Sequence, residues 1–144
     1  MKKLVILALL LCFAAPCLAE MLSIAHQPAE LRDRAMVAGS AVIRQLPLYT
    51  PLEIVQRGAE YHQVKTVDGL VGYIHKSLTT TNRSAVVTAP ICNVRSGPGT
   101  EFSVAFKASR GDRFPISNRQ ADWIQVKTVA GISGWIRQDL VWGE

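Results

Sequence analysis

The sequence predicts an all-β protein made of two small, similar units that follow an N-terminal signal segment. Two observations carry this prediction: Glu60–Leu78 aligns without a gap with Asp122–Leu140, and both stretches alternate apolar and polar residues. Alternation of period two is typical of half-buried strands. A self-match of this density indicates internal duplication. After the leader, no amphipathic helical period of useful length is evident in the sequence, which favours strands throughout.

Each copy of the repeat is predicted to form a β-hairpin. In the second copy, Trp123–Thr128 alternates, and Gly131 lies in a short link that suits a turn with positive φ. Gly134 before Trp135 indicates a point where a side chain would obstruct a neighbouring strand. The identical aligned pairs are Gln63/Gln125, Val64/Val126, Lys65/Lys127, Thr66/Thr128, Val67/Val129, Gly69/Gly131, Gly72/Gly134, Ile74/Ile136 and Leu78/Leu140.

The N-terminus is predicted to be a secretory signal peptide, residues 1–19, with a signal helix that is removed by cleavage after Ala19. A basic start precedes the apolar run Leu4–Ala15, and small residues lie three and one positions before the cut. The run is shorter than the ~20 apolar residues of a membrane span, so we expect no membrane-spanning segment after cleavage. Lipidation is disfavoured because Cys12 follows leucine and Cys17 follows proline.

Charge and cysteine content exclude several classes. Cleavage removes two lysines from a formal charge of +5, and the arginines are scattered. Export and the lack of a clustered basic patch argue against nucleic-acid binding. Cys92 alone remains after cleavage, so no intramolecular disulfide is expected. A small buried hydrophobic role on a strand is favoured for Cys92 over a reactive thiol.

The repeat divides the remaining chain into two units. We expect a first, divergent unit at 28–80, a linker at 81–87 and a second unit at 88–142, with 20–30 as a partly ordered lead. Units of this size are marginal alone, so the two are expected to pack together. Pro115 lacks an amide donor, and its position is expected at an edge or bulge.

The opening loops of the two units differ. The second copy has Gly97-Pro98-Gly99, where proline fixes φ and the glycines are expected to permit strained angles. The first copy has Arg34-Ala35-Met36 at this point. We therefore expect the two loops to differ in shape and in role.

The second copy resembles the bacterial SH3-like (SH3b) domain. The resemblance rests on Asn93–Thr100, reading NVRSGPGT, on Trp123–Val126 and on Gly134–Ile136, in that order. It covers about 88–141, whereas the first copy keeps only the later strands. The resemblance implies a five- to six-stranded, partly open barrel used twice, in exported proteins that often accompany cell-wall hydrolases.

No catalytic constellation is recognised in the sequence. Cys92 has no histidine within its own copy, and His26, His62 and His75 lack metal-ligand spacing. The two repeats occupy nearly all of the chain after the leader. We therefore expect no enzyme, no catalytic residue, no metal and no cofactor.

The resemblance implies a ligand site between the loop after the first strand and the aromatic end of the last hairpin. Aromatic faces suit sugars or short peptides, and arginine suits a carboxylate. For Trp135 and Tyr73, which each follow a glycine, a core or half-core position is favoured over ligand contact. The expected site residues are Arg95, Ser96, Pro98, Glu101, Phe102, Trp123 and Trp135.

Two functions remain open from the sequence. One is a binding module for peptidoglycan or a wall-associated ligand. The other is an adaptor that presents a surface or an open strand edge to an envelope protein or short peptide. In both cases the protein is expected to be periplasmic or secreted, and a monomer.

Overall fold

The first half of the chain forms one antiparallel sheet. The computed structural model describes residues 18–144, and the leader predicted at 1–19 lies outside the described residues except for exposed Leu18 and Ala19. A 3-10 helix, Lys76–Leu78, precedes the last strand of this half. The strands are β1 (Met21–Ile24), β2 (Ala29–Arg32), β3 (Val42–Leu46), β4 (Pro51–Gln56), β5 (Tyr61–Lys65), β6 (Val71–His75) and β7 (Thr79–Thr80).

The second half forms a sheet of the same kind, with a 3-10 helix at Gln138–Leu140. Its strands are β8 (Ser84–Val87), β9 (Ile91–Arg95), β10 (Val104–Ser109), β11 (Arg113–Gln120), β12 (Trp123–Lys127), β13 (Ser133–Arg137) and β14 (Val141–Trp142).

The two sheets have one strand order. The first runs β3-β2-β6-β5-β4-β1-β7 and the second β10-β9-β13-β12-β11-β8-β14. Every pairing is antiparallel. The predicted all-β class with two SH3-like units is confirmed. Each sheet has seven strands rather than five or six, because two-residue strands such as β7 extend it, and neither sheet closes into a barrel.

Each sheet buries its own core. The alternating residues of the hairpins supply the centre, with Val64 and Ile74 in the first unit and Ile124 and Ile136 in the second, all 0% exposed. Cys92 belongs to the second core, at 6% exposure. Burial raises the pKa of the Cys92 thiol, as does the nearby charge of Asp112. The interpretation of Cys92 as a small buried hydrophobe agrees with this position.

The hairpin glycines behave as predicted. Gly131 has φ of 86° in the turn between β12 and β13. A Cβ on Gly134 would lie 2.5 Å from Val94 Cγ1 on the neighbouring strand β9. Gly134 is therefore required for close approach of the strands.

In two stretches, strands begin earlier in the chain than expected. The lead at 20–30 contains β1, in which Leu22 and Ile24 are buried, so the expectation of partial order is wrong there. The linker expected at 81–87 contains β8, which is buried at all four positions. Four-residue strands are too short to show a clear period in the sequence.

Pro115 lies where β11 changes partners. It pairs with Ser84 of β8, while pairing with β12 begins at the next residue, Ile116. A bulge follows between Ile116 and Asn118. The missing amide therefore falls at the end of one ladder and beside a bulge, in line with the prediction.

The two units touch along the segment that joins them. The Ser23 hydroxyl donates to the Asn82 carbonyl at 2.7 Å. Near the C-terminus, Gly143 has φ of 106°, and a Cβ there would lie 2.2 Å from Pro51 Cβ of the first unit. Contact between the units thus depends on a glycine at this position. Across residues 18–144 no helix is long and apolar enough to cross a membrane.

Candidate functional site

The expected site lies on the outer face of the second sheet. Arg95 of β9 is in register with Trp135 of β13, and Trp135 is in register with Gln125 of β12. Their neighbours Val94 and Ile136 point into the core, so these three residues occupy the opposite face. The register therefore places two of the expected site residues, Arg95 and Trp135, opposite each other on neighbouring strands.

Trp123 lies on the same face, two residues before Gln125. It pairs with Arg137, so Trp123 and Trp135 are diagonal neighbours across the hairpin. Trp123 is half-buried, whereas Trp135 is 9% exposed. Of the two aromatics, Trp123 is thus the more accessible to a ligand.

The loop after β9 is tied to this face by Arg95. Its guanidinium donates to the Phe102 carbonyl at 2.9 Å. The Ser96 amide donates to the Ser103 carbonyl at 2.9 Å, and the two serine hydroxyls lie 3.3 Å apart. These contacts close the loop at its base and place Phe102, which is 39% exposed, beside the site.

The loop glycines provide space rather than unusual backbone angles. A Cβ on Gly97 would lie 2.4 Å from the Phe102 ring, and one on Gly99 would lie 2.4 Å from a Glu101 carboxylate oxygen. Neither glycine has positive φ. The expectation that they permit strained angles is therefore wrong, and close packing of Phe102 and Glu101 explains them.

The other expected residues have smaller parts in this geometry. Pro98 is half-buried in the loop, Ser96 is exposed at its base, and Glu101 is exposed with its carboxylate against Gly99. Glu101 forms no ion pair within the described chain.

The corresponding arginines of the two units differ in charge partners. Arg32 is in register with Tyr73, as Arg95 is with Trp135. Arg32 forms an ion pair with Glu30 and donates to the Ser40 hydroxyl at 3.0 Å. The second unit has Asn93 in place of Glu30. In residues 18–144, Arg95 forms no ion pair.

A cleft that was not expected from the sequence lies on the equivalent face of the first unit. This open cleft of about 380 Å³ has Tyr61 and His75 on one side, and their rings meet edge to face with centroids 5.0 Å apart. Arg32 lines the cleft as well. The signal was present in the repeat, because Tyr61 aligns with Trp123 and Arg32 with Arg95.

His62 follows Tyr61 in β5, and its side chain lies on the opposite, buried side of the strand. Burial lowers the pKa of His62, and the positive charges of Arg57 and Lys76 lower it further. Its Nδ1 accepts a hydrogen bond from the Gly58 amide at 3.2 Å. Burial and the neighbouring cations therefore favour the neutral imidazole, which is 8% exposed. Within residues 18–144, no cluster of three or more His, Cys, Asp or Glu is placed to hold a metal.

Comparison with known proteins identifies the second unit. Residues 88–141 match the family model of the bacterial SH3 domain. The chain is 35% identical over 60 residues to the putative N-acetylmuramoyl-L-alanine amidase YrvJ of Bacillus subtilis (strain 168). Residues 88–141 are therefore a bacterial SH3 domain, as the sequence motifs predicted.

The relative and the similar structures are larger than this chain. The match covers 42% of the chain and 12% of the Bacillus protein. NlpC1 from Trichomonas vaginalis is 11% identical, with a TM-score of 0.38 over 96% of this chain and 51% of that one. An NlpC/P60 family protein from Bacillus cereus ATCC 10987 is 12% identical, with a TM-score of 0.35 over 84% and 55%.

The Bacillus relative overturns the prediction that the chain is not an enzyme. The relative that carries the matching SH3 part is named a putative amidase. Absence of a recognised catalytic pattern in one sequence was too weak a ground for the exclusion. The match is confined to the SH3 part, so it assigns no catalytic residue to this chain.

Proposed function

We propose that this protein binds bacterial cell wall through the outer face of its second unit. The observation that carries the proposal is that Arg95, which pairs with Trp135 across β9 and β13, has no carboxylate partner in the described chain. Two findings support binding to the cell wall. Residues 88–141 match the bacterial SH3 domain, and the relative is named a putative N-acetylmuramoyl-L-alanine amidase. An extracellular or cell-wall location follows from the same two findings.

The chemistry of the face fits peptidoglycan. Trp123 and Phe102 offer aromatic surface, against which the C–H face of a sugar or a short peptide packs. Arg95 offers donors to a peptide carboxylate, with a charge-assisted hydrogen bond of about 1.5–3 kcal/mol. Ser96, Pro98 and Glu101 lie at the edge of this face. Trp135 is the residue that pairs with Arg95 on the neighbouring strand.

Sedimentation with purified sacculi tests this function. The purified protein is expected to pellet with sacculi, and Trp123→Ala is expected to weaken pelleting by up to about tenfold, since packing on an aromatic ring contributes about 0.5–1.5 kcal/mol. Tyr61→Ala, the matched change in the first unit, serves as the control and should pellet normally.

Two outcomes would contradict the proposal. If Tyr61→Ala weakens pelleting and Trp123→Ala does not, the first-unit cleft is the binding site. If the protein stays in the supernatant but co-purifies with one envelope protein, it acts as an adaptor.

A further inference from the structure

The turn before β4 contains a tyrosine where its counterpart has glycine. Tyr49 has φ of 59°, and Gly111 at the corresponding position has φ of 91°. The two turns make equivalent hydrogen bonds. The Tyr49 amide donates to the Ile24 carbonyl at 3.0 Å, and the Gly111 amide donates to the Val87 carbonyl at 2.9 Å. Glycine adopts this backbone at lower cost than any residue with a Cβ. The turn itself therefore does not explain the tyrosine.

The Tyr49 side chain lies at the seam between the units. It lines an open cleft of about 330 Å³ whose other walls belong to the second unit. Phe106 and Phe114 form one wall, with ring centroids 6.0 Å apart and an interplanar angle of 60°. An aromatic ring held at a cost to the backbone and directed at a neighbouring cleft indicates a binding role.

The seam cleft is positively charged. Lys107, Lys127 and Arg113 line it against a single carboxylate, Asp112. One Asp112 oxygen already accepts from the Ser109 amide at 2.8 Å. The cleft therefore favours an anionic ligand.

Lys127 lacks the acidic partner that the corresponding lysine of the first unit has. Its counterpart Lys65 forms an ion pair with Glu53 at 2.8 Å. Pro115 stands at the position of Glu53 in the second unit. Among residues 18–144, Lys127 forms no ion pair. Its charge is available to a ligand in the cleft.

Arg113 adds a second unmet donor. One of its terminal nitrogens donates to the Gly111 carbonyl at 2.9 Å, but its buried Nε has no hydrogen-bond partner within the described residues. A buried donor of this kind gains from a ligand oxygen or a bridging water.

We propose that the seam cleft binds a carboxylate-bearing saccharide. The sugar ring packs against Tyr49 and Phe106, and the carboxylate lies between Lys127 and Arg113. This inference rests on the proposed wall-binding function, since it names a chemical class of wall ligand, but it places that ligand at a different surface. The site needs both units, because the tyrosine comes from one and the cations from the other.

A pair of sugars tests the inference in the intact protein. N-acetylmuramic acid carries a carboxylate that N-acetylglucosamine lacks, and the rings are otherwise alike. In calorimetric or NMR titrations, N-acetylmuramic acid should bind about tenfold more tightly, as one charge-assisted hydrogen bond contributes that factor. The largest NMR chemical-shift changes should occur at Tyr49 and Lys127. Equal binding of the two sugars, or shifts elsewhere, would overturn the inference.

Three variants sharpen the test. Tyr49→Gly takes the residue that the twin turn already uses, so folding should be kept while affinity for N-acetylmuramic acid falls. Lys127→Gln should lower affinity about tenfold. Lys65→Gln is the matched control and should leave it unchanged. Loss of affinity in the control, or none in the other two, would contradict the site.

A peptide probe tests whether the cleft recognises the carboxylate of a sugar acid or that of a peptide. Acetyl-alanyl-glutamate carries carboxylates without a sugar ring. Binding of this peptide at the seam as tightly as the sugar acid would assign the site to peptides instead. Sacculus pelleting is measured in parallel with Tyr49→Gly. If pelleting persists while no sugar acid binds the wild-type seam, the seam inference fails and the wall-binding function stands.

Discussion

The two units have the same strand order but use one arginine position differently. In the first unit Arg32 is neutralised by Glu30, whereas in the second unit Asn93 leaves Arg95 without an acid. Lys65 and Lys127 show the same contrast, because Glu53 is replaced by Pro115. The second unit thus lacks internal charge partners at two positions where the first unit has them. Surface ion pairs contribute little to stability, so we expect this difference to affect ligand binding more than folding.

The largest expected effect compares the two cores. Ile74→Ala and Ile136→Ala each remove a fully buried side chain, and each should lower the free energy of unfolding by about 3 kcal/mol. Urea unfolding measures both. If the units unfold as one, the two variants give equal shifts in a single transition. A loss below about 1 kcal/mol in either variant would contradict the core assignment.

A smaller effect concerns the contact between the units. Gly143→Ala would place a Cβ 2.2 Å from Pro51 Cβ at a φ of 106°. We expect a loss of about 1–2 kcal/mol, limited by release of the C-terminal residues. Gly39→Ala is the control, because φ is 75° but nothing lies within 4 Å of the added Cβ. Equal losses in both variants would mean that backbone strain alone acts and that the contact contributes nothing.

The smallest effect is a pH dependence confined to the first unit. The pKa of His62 is lowered in the folded state, chiefly by burial, so the unfolded chain binds a proton more readily. Stability should therefore fall as pH drops from about 7 through the ordinary histidine pKa of about 6.5 toward the lower folded value. Melting temperatures between pH 5 and pH 8 measure this.

His62→Ile gives the matched variant, since Ile124 occupies the same position in the second unit. The variant should lose this part of the pH dependence. An unchanged pH profile would show that other groups cause it.

The sequence predicted those features in which a residue type or a local pattern requires one particular backbone geometry. Alternation predicted the hairpin strands, and Gly131 and Gly134 had the roles expected from their positions. The family motifs named Arg95 and Trp135 together as expected site residues, and the structure pairs the two. These features depend on neighbours along one or two strands, which the sequence pattern contains.

Other features depend on contacts between distant segments. β1 is ordered by pairing with β4 and β7, which four residues of sequence do not indicate. The seam cleft at Tyr49 requires the relative position of both units. The enzyme prediction failed for another reason, because it was drawn from a missing pattern.

The account is tested most directly by matched arginine variants in sacculus binding. Arg95→Gln and Arg32→Gln remove the same group from corresponding positions of the two units. We predict that Arg95→Gln weakens binding about tenfold, because it removes a charge-assisted hydrogen bond to the ligand. Arg32→Gln should bind within about twofold of the wild type, since its charge is already paired with Glu30. Equal losses in the two variants, or a loss confined to Arg32→Gln, would contradict the account.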